Sequence, residues 1–481
     1  MEDLRAWLEH MRSRDLVRDV RGADPHLEVG AITDLNVKRN KHVLLFDEIA
    51  GYDKGFRILT GSMLDAQRVS HSLGCATGSD AQALVRELRS RLRHPRATGV
   101  VDRAVATKDV PLFENQRSGS EVDLTKLPAP LWHELDGGRY LGTFDAVVTR
   151  DPDTDWVNVG TYRMMLYDSR RVCLFVNASH HARLHMEKYW KRGERVPVAV
   201  SLGHHPALSA LGGMELPTGI SEYDVLDELR GDVKLVEAPV TKLPVPAGSE
   251  LVIEGYLTEE TVAEGPYGEF LGYYAGGMMQ TPTIEVEGLY YRNDPIILGT
   301  CAGIPPYDYS YFRCPMRSAM IWDALEEAGI PGVTGVWCHE AGYTRALNVV
   351  SVEQAYLGHA QQAGMVASQA RDGAFGGKYT IVVDSDIDPS NLEEVMWVVC
   401  TRTDPAESIE FVKHSWGMAL DPMVVRGPDD ALNELPMSRA VITACQPFKR
   451  RQRGEFPAVV TVPTAVAEQV TSRYPEVLGQ S

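Results

Sequence analysis

Between about residue 125 and residue 300 the apolar residues come in short runs broken by turn signals: FDAVVTRDPDTDWVNVGTYRMMLYD, RRVCLFVNAS, VPVAVSLG, SELVIEGYL and PTIEVEGLYYRNDPIILG. Runs of this length and spacing make strands. With one convincing helix (ARLHMEKYWKRG) and another after Ser221, the stretch predicts a strand-dominated domain with a barrel or sandwich core.

The period changes on either side. Leu4, Trp7, Leu8 and Met11 fall at the spacing of an amphipathic helix, and a second helix is expected after Ser79 as N-cap, with Leu84, Val85, Leu88 and Leu92 on one face. KHVLLFDEI (Lys41 to Ile49) suits a buried strand. After about residue 315, SAMIWDALEEAG, SVEQAYLGHAQQAGMVASQA, KYTIVVDSDID and LEEVMWVVCTR alternate helix and strand. A chain of 481 residues exceeds what one core usually organises. The expected division is α/β for 1–120, strand-rich for 121–312 and α/β for 313–481.

Lys plus Arg number 48 against 66 for Asp plus Glu, a formal charge of −18, which repels a phosphate backbone. The locally basic pieces, RSRLRHPR (Arg89 to Arg96) and KRRQR (Lys449 to Arg453), read as solvated helix faces or interface patches. No nucleic-acid partner is expected. Seven cysteines without a CxxC pair imply free thiols in a reducing compartment, and neither a signal peptide nor an apolar run of about 20 residues is present. A cytoplasmic protein without membrane contact is expected.

DSDID (Asp384 to Asp388) lacks the Gly and Glu of a Ca²⁺ loop, Pro389 and Val395 standing in their places, so it reads as a turn with Ser390 or a nearby Asp capping the next helix. His181 and His185 in HHARLH have zinc-site spacing, but Ala182 stands where zinc hydrolases carry Glu. The pair His204 and His205 is a weaker signal.

EGPYGEFLGYY (Glu264 to Tyr274) is of another kind. Residues five apart diverge on both a strand and a helix, so only a bend at the glycines and proline could bring Glu264 and Glu269 together. Like charge and apolar surroundings would then raise one carboxyl's pKa and make it a proton donor near neutral pH. The plainer reading is a surface turn with two solvated carboxylates. NVGTYR (Asn158 to Arg163) offers an amide and a guanidinium five apart, with Gly160 able to bulge the strand and turn both inward. Such an arginine could hold a carboxylate bidentately.

In this order, NVGTYR, the His180–His181 pair, MELPTGISEYD (Met214 to Asp224) and EGPYGEFLGYY resemble the UbiD family of decarboxylases, which use prenylated FMN. The likeness runs from DLRAWLEHMRSRDLVRDV to VDSDIDPSNLEEVMWVVCTR and DPAES. It implies a central split β-barrel of the flavin reductase type between two α/β domains, the last assembling a homodimer or homohexamer. It implies a catalytic network of Glu264, Arg163 and Glu269, with Arg163 orienting the substrate carboxylate, Glu264 holding Arg163, and Glu269 donating the proton.

The resemblance also implies that Asn158, Val159, Gly160, Thr161, Tyr162 and Arg163 line the cofactor site with His180, His181 and Glu222. Asn158, His181 and Glu222 would bind Mn²⁺ or Mg²⁺ at the flavin phosphate, an oxygen-rich set suited to a hard cation. Met214 and Glu222 would serve a K⁺ site, and Arg439 in SRAVITA stands where relatives carry a phosphate-binding lysine.

The implied reaction is reversible, non-oxidative decarboxylation of an aromatic, heteroaromatic or α,β-unsaturated acid to CO₂, through a covalent substrate adduct with prenylated FMN supplied by a flavin prenyltransferase. The alternatives are a metal-dependent hydrolase built on the histidines and a non-catalytic flavin-binding subunit of a carboxylase complex. Cys301 to Pro315, with Tyr307, Tyr309 and Tyr311, and Pro436 to Phe448 are candidates for the substrate wall.

Overall fold

Two three-residue crossings decide the shape of the central sheet in the computed structural model, which describes residues 3–76, 78, 80–107, 109–177, 180–424 and 435–478. The strand order is Tyr140–Gly142, Met164–Leu166, Arg171–Leu174, Met279–Tyr291, Leu251–Glu264, Val196–Ser201, Ala146–Arg150, Val157–Gly160, all neighbours antiparallel. Asn115–Ser118 pairs with Met279–Tyr291 off this path.

Residues 143–145 join the first strand of that order to the seventh, and residues 161–163 join the eighth to the second. In a flat sheet each crossing would span six strand spacings, about 29 Å. Three linking residues reach about 14 Å. The sheet therefore curls into a half-barrel, and its two ends meet where the crossings lie side by side. Thr161 donates its hydroxyl to the carbonyls of Asp145 and Ser209 at 3.0 and 3.1 Å, and Tyr162 donates its N–H to the Asp145 carboxylate at 3.1 Å. Burial pushes that carboxyl up to about 8.

Gly160 does not bulge its strand. Its pairing with Val147 is regular and the strand stops there, and the position needs glycine because a Cβ at 160 would stand 2.2 Å from the Tyr162 ring.

The N-terminal part holds the helix Leu4–Ser13, capped by Asp3, with Leu4, Trp7, Leu8 and Met11 buried as expected. Its sheet contains Val17–Arg21, Val43–Asp47 and Arg57–Thr60, and is completed by Ile296–Leu298, parallel to Arg57–Thr60. The run PIILG, read with the central strands, thus belongs to the N-terminal sheet. Ser79 lies outside the described residues; Asp80 caps the helix Ala81–Leu92, which buries Leu84, Val85 and Leu88 and half-buries Leu92.

The C-terminal sheet runs Val333–Cys338, Leu347–Val352, Tyr379–Asp384, Pro436–Ala444, Ile409–Trp416, with its three central strands parallel. The run from Ser351 to Ala370 is not one helix: Ser351 and Val352 finish a strand, and the helix starts at His359 after Gly358. In DSDID, Asp384 and Asp386 both bind Arg402. Asn391 caps the following helix, in place of Ser390 or an aspartate. All seven cysteines are free, and among the described residues no helix is long and apolar enough to cross a membrane.

Candidate active site

Glu264 ends its strand opposite Met279, so residues 265–278 form the excursion between two long antiparallel strands. The neighbouring loop before Tyr140 folds that excursion back. Gly137 donates to the Pro266 carbonyl at 2.7 Å, and Asp136 accepts the Gly268 N–H at 2.8 Å. The approach is so close that a Cβ at position 137 would lie 1.8 Å from the Gly265 oxygen. Glu269 is thereby returned to the side of Glu264, and both reach Arg163 on the 161–163 crossing.

Arg163 donates from Nε and Nη2 to the two oxygens of Glu264 at 2.9 and 2.8 Å, and from Nη1 to Glu269. Its guanidinium lies 4.0 Å from the Phe175 ring centroid and 5.4 Å from that of Tyr267. Side-chain exposures of 7%, 1% and 8% for Arg163, Glu264 and Glu269 put one cation and two carboxylates out of water. Burial raises the Glu269 pKa; Arg163 opposes this and Glu264 reinforces it. Burial disfavours the charged Arg163, but Glu269 and Glu264 outweigh it and raise its pKa. Such a site can hold an anionic group against a fixed guanidinium and keep a proton on a neighbouring carboxyl.

Arg163 and Glu269 face a cavity of about 210 Å³ whose far wall comes from Phe375, Trp416, Met418 and Leu420 of the C-terminal part. A second cavity of about 100 Å³ adjoins it, sharing Thr161, Tyr162, His180, Arg313 and Arg345. Asn158, His181, Met214 and Glu222 all line this second cavity, as do Val159 and Gly160. Among the described residues the buried Asn158 amide nitrogen has no hydrogen-bond partner. Glu222 accepts the Val159 N–H at 2.6 Å, and burial pushes its carboxyl up to about 8.

The same cavity carries an excess of cations. Glu215 accepts from Arg317 at 3.0 Å and from Arg345 at 2.7 Å, while Arg313 and Arg371 also line the wall. Among the described residues two buried nitrogens of Arg345 have no partner, and burial, then Arg317, pushes it down to about 10. A dianion such as a phosphate would balance this set. The amide, imidazole and carboxylate donors beside it suit a hard divalent cation. Among the described residues no group of three or more His, Cys, Asp and Glu could hold a metal, so any such site must draw on Asn158 or on the anion itself.

Other expected residues lie elsewhere. Arg439 lines neither cavity, because its two terminal nitrogens are taken by the carbonyls of Ser368 and Trp416. His185 is buried against Thr149 and Trp156, and among the described residues no third His, Cys, Asp or Glu completes a metal site with the zinc-like pair. His204 is held between Ser201 and Ser209, and His205 caps the helix Pro206–Gly212. Of the three tyrosines, Tyr309 alone lines the first cavity, with Arg313 donating to its hydroxyl. Tyr140, Glu215, Arg313 and Arg345 were not singled out from the sequence; Glu215 lies within MELPTGISEYD and Arg313 within the stretch from Cys301 to Pro315, but only the tertiary fold brings these side chains to the site.

Residues 8–92, 103–305 and 310–444 match, in order, the N-terminal, Rift-related and C-terminal domains of the 3-octaprenyl-4-hydroxybenzoate carboxy-lyase family, UbiD. The chain is 34% identical over 418 residues to a pyrrole-2-carboxylic acid decarboxylase of Pseudomonas aeruginosa, covering 84% of this chain and 83% of that one. It is 31% identical over 466 residues to a phenolic acid decarboxylase of a Streptomyces species, covering 95% and 94%. In structure it resembles the UbiD-class enzyme HmfF from Pelotomaculum thermopropionicum in complex with FMN, with a TM-score of 0.85, 25% identity, and coverage of 98% of this chain and all of that one.

Proposed function

The chain belongs to the UbiD family of carboxy-lyases, and from that premise we propose that it is a reversible, non-oxidative decarboxylase of an aromatic, heteroaromatic or α,β-unsaturated acid, working with prenylated FMN. The observation that carries this reading is the buried Glu264–Arg163–Glu269 network facing one cavity beside a second that is rich in cations.

Loss of CO₂ from an sp² carbon leaves an anion with nowhere to delocalise. Prenylated FMN, when bound, would supply the missing electron sink, chemistry that no side chain offers. Arg163 binds the substrate carboxylate and fixes its direction. Glu264 keeps Arg163 in that orientation. Glu269 gives its proton to the carbon that has lost CO₂ and is reprotonated from solvent.

Arg313 and Arg345 would bind the cofactor phosphate. Asn158, His181 and Glu222 would hold Mn²⁺ or Mg²⁺ beside it, with Met214 and Glu222 at a K⁺ site. The aromatic and aliphatic walls of Phe175, Phe375, Trp416 and Leu420 suit a flat, apolar acid and exclude water from the departing carboxylate. The chain would act as a homodimer or homohexamer and receive its cofactor from a flavin prenyltransferase.

Protein co-expressed with a flavin prenyltransferase should show flavin absorbance and release CO₂ from a member of an aromatic, heteroaromatic and unsaturated acid panel. Bound flavin with no CO₂ release from the isolated chain across that panel would contradict the reading and favour a subunit of a larger carboxylase.

A further inference from the structure

The two glutamates of the network are held unequally. Glu264 accepts three side-chain hydrogen bonds: two from Arg163, at 2.9 and 2.8 Å, and one from the Tyr140 hydroxyl at 2.6 Å. Glu269 accepts one from a side chain, Arg163 Nη1, and the Phe270 backbone N–H also favours its charged form. Hydrogen bonds donated to a carboxylate favour its charged form, so the surplus on Glu264 sends the proton of the pair to Glu269.

Tyr140 is built to be a fixed donor. It opens the strand Tyr140–Gly142 and is fully buried. Its backbone N–H donates to the Pro130 carbonyl at 2.9 Å and its carbonyl accepts the Trp132 indole N–H at 3.2 Å. Its ring packs on Tyr267 with centroids 4.4 Å apart, and Tyr267 lies between the two glutamates in sequence. Burial and then Glu264 raise the phenol's pKa, so it stays protonated.

The geometry points to Tyr140 as a positioning residue that keeps Glu264 the anionic partner of Arg163 and so reserves the pair's proton for Glu269. This inference deepens the decarboxylase reading and rests on it. Tyr140 touches neither cavity, and it acts through Glu264. The other titratable or charged groups facing the pair are Arg163 from the crossing, Asp136 with His133 behind it, Tyr267 from the loop, Cys173 from the strand Arg171–Leu174, and Cys301 beyond Tyr267. Burial raises the Cys173 thiol to about 12 and the Tyr267 phenol and Cys301 thiol well above their usual values, so these three stay protonated.

The test is Tyr140→Phe, which keeps the ring and removes only the donor. In flavin-free protein, infrared titration of the protonated-carboxyl stretch should give a band in the wild type that Glu269→Gln abolishes. In Tyr140→Phe, intensity should pass to a second band that Glu264→Gln abolishes, the proton's distribution shifting roughly ten- to a hundredfold. In the loaded enzyme kcat should fall by a comparable factor with KM nearly unchanged, and the pH profile should move with it. If Tyr140→Phe does not fold, 3-fluorotyrosine at position 140, a stronger donor, should move the distribution further toward Glu269.

A wild-type proton distribution in the variants, or a fall in kcat with the proton still on Glu269, would overturn the inference. Absence of decarboxylation by loaded wild type would instead overturn the reading beneath it, and the infrared titration separates the two failures.

Discussion

Arg163 turns Nε and Nη2 to the two oxygens of Glu264 at 2.9 and 2.8 Å and leaves only Nη1 for Glu269. The guanidinium plane is therefore set by Glu264, and Glu269 meets its free edge. Glu264→Gln keeps the shape and removes the charge that fixes this plane. We expect kcat/KM for CO₂ release to fall on the order of 10²-fold through misorientation of the substrate carboxylate. We expect stability to fall by about 3 kcal/mol, because a buried arginine loses its chief partner. Steady-state kinetics and urea unfolding check the two halves.

The pH dependence follows from Glu269. Its pKa is raised by burial first and by Glu264 second, against Arg163. The protonated form is the active one, so kcat should be level below that raised pKa and fall about tenfold per pH unit above it. The linked stability has the same sign. The contribution is fully present below the unfolded carboxyl's pKa of about 4.3 and is lost as pH rises through the folded value. A pH–rate profile of loaded enzyme and pH-dependent unfolding measure both, and a rate that rises through the same range would contradict the assignment.

Gly137 tests the loop that returns Glu269 to the site. A Cβ there would stand 1.8 Å from the Gly265 oxygen and 2.3 Å from its carbonyl carbon, a contact with backbone that no side chain can relieve. Gly137→Ala should cost about 1–3 kcal/mol of stability and shift residues 265–269 away from Arg163. Activity should fall on the order of 10²-fold while the helices and the other two sheets keep their circular dichroism.

Arg345 tests the cation-rich cavity. Among the described residues two of its buried nitrogens have no partner, and Glu215 retains Arg317 when Arg345 is changed. Arg345→Gln should leave the fold intact and weaken FMN binding by roughly ten- to a hundredfold, the value of a charge-assisted hydrogen bond to phosphate. Quenching of flavin fluorescence on titration measures the loss.

Local periodicity was a good guide where burial follows it. The faces of Leu4–Ser13 and Ala81–Leu92 and the strand Val43–Asp47 stand where the pattern puts them. What periodicity cannot carry is pairing: Ile296–Leu298 has the same strand signal as its neighbours, yet its hydrogen bonds go to Arg57–Thr60.

The site divides in the same way. EGPYGE and NVGTYR were visible as short motifs because a bend and a strand end need glycine and proline there. Their convergence was not visible, since it depends on the 161–163 crossing and on Gly137. Arg345 reaches the cavity from the C-terminal part with no motif to mark it, and Arg313 from a stretch read only as a candidate substrate wall, whereas Arg439, which a motif did mark, is held by two carbonyls.

The most direct test of the account is Glu269→Gln in protein loaded with prenylated FMN, assayed for CO₂ release on an acid that the wild type turns over. The account predicts a flavin spectrum and a melting temperature close to the wild type's, with CO₂ release abolished. Turnover by the variant at the wild-type rate would contradict Glu269 as the proton donor.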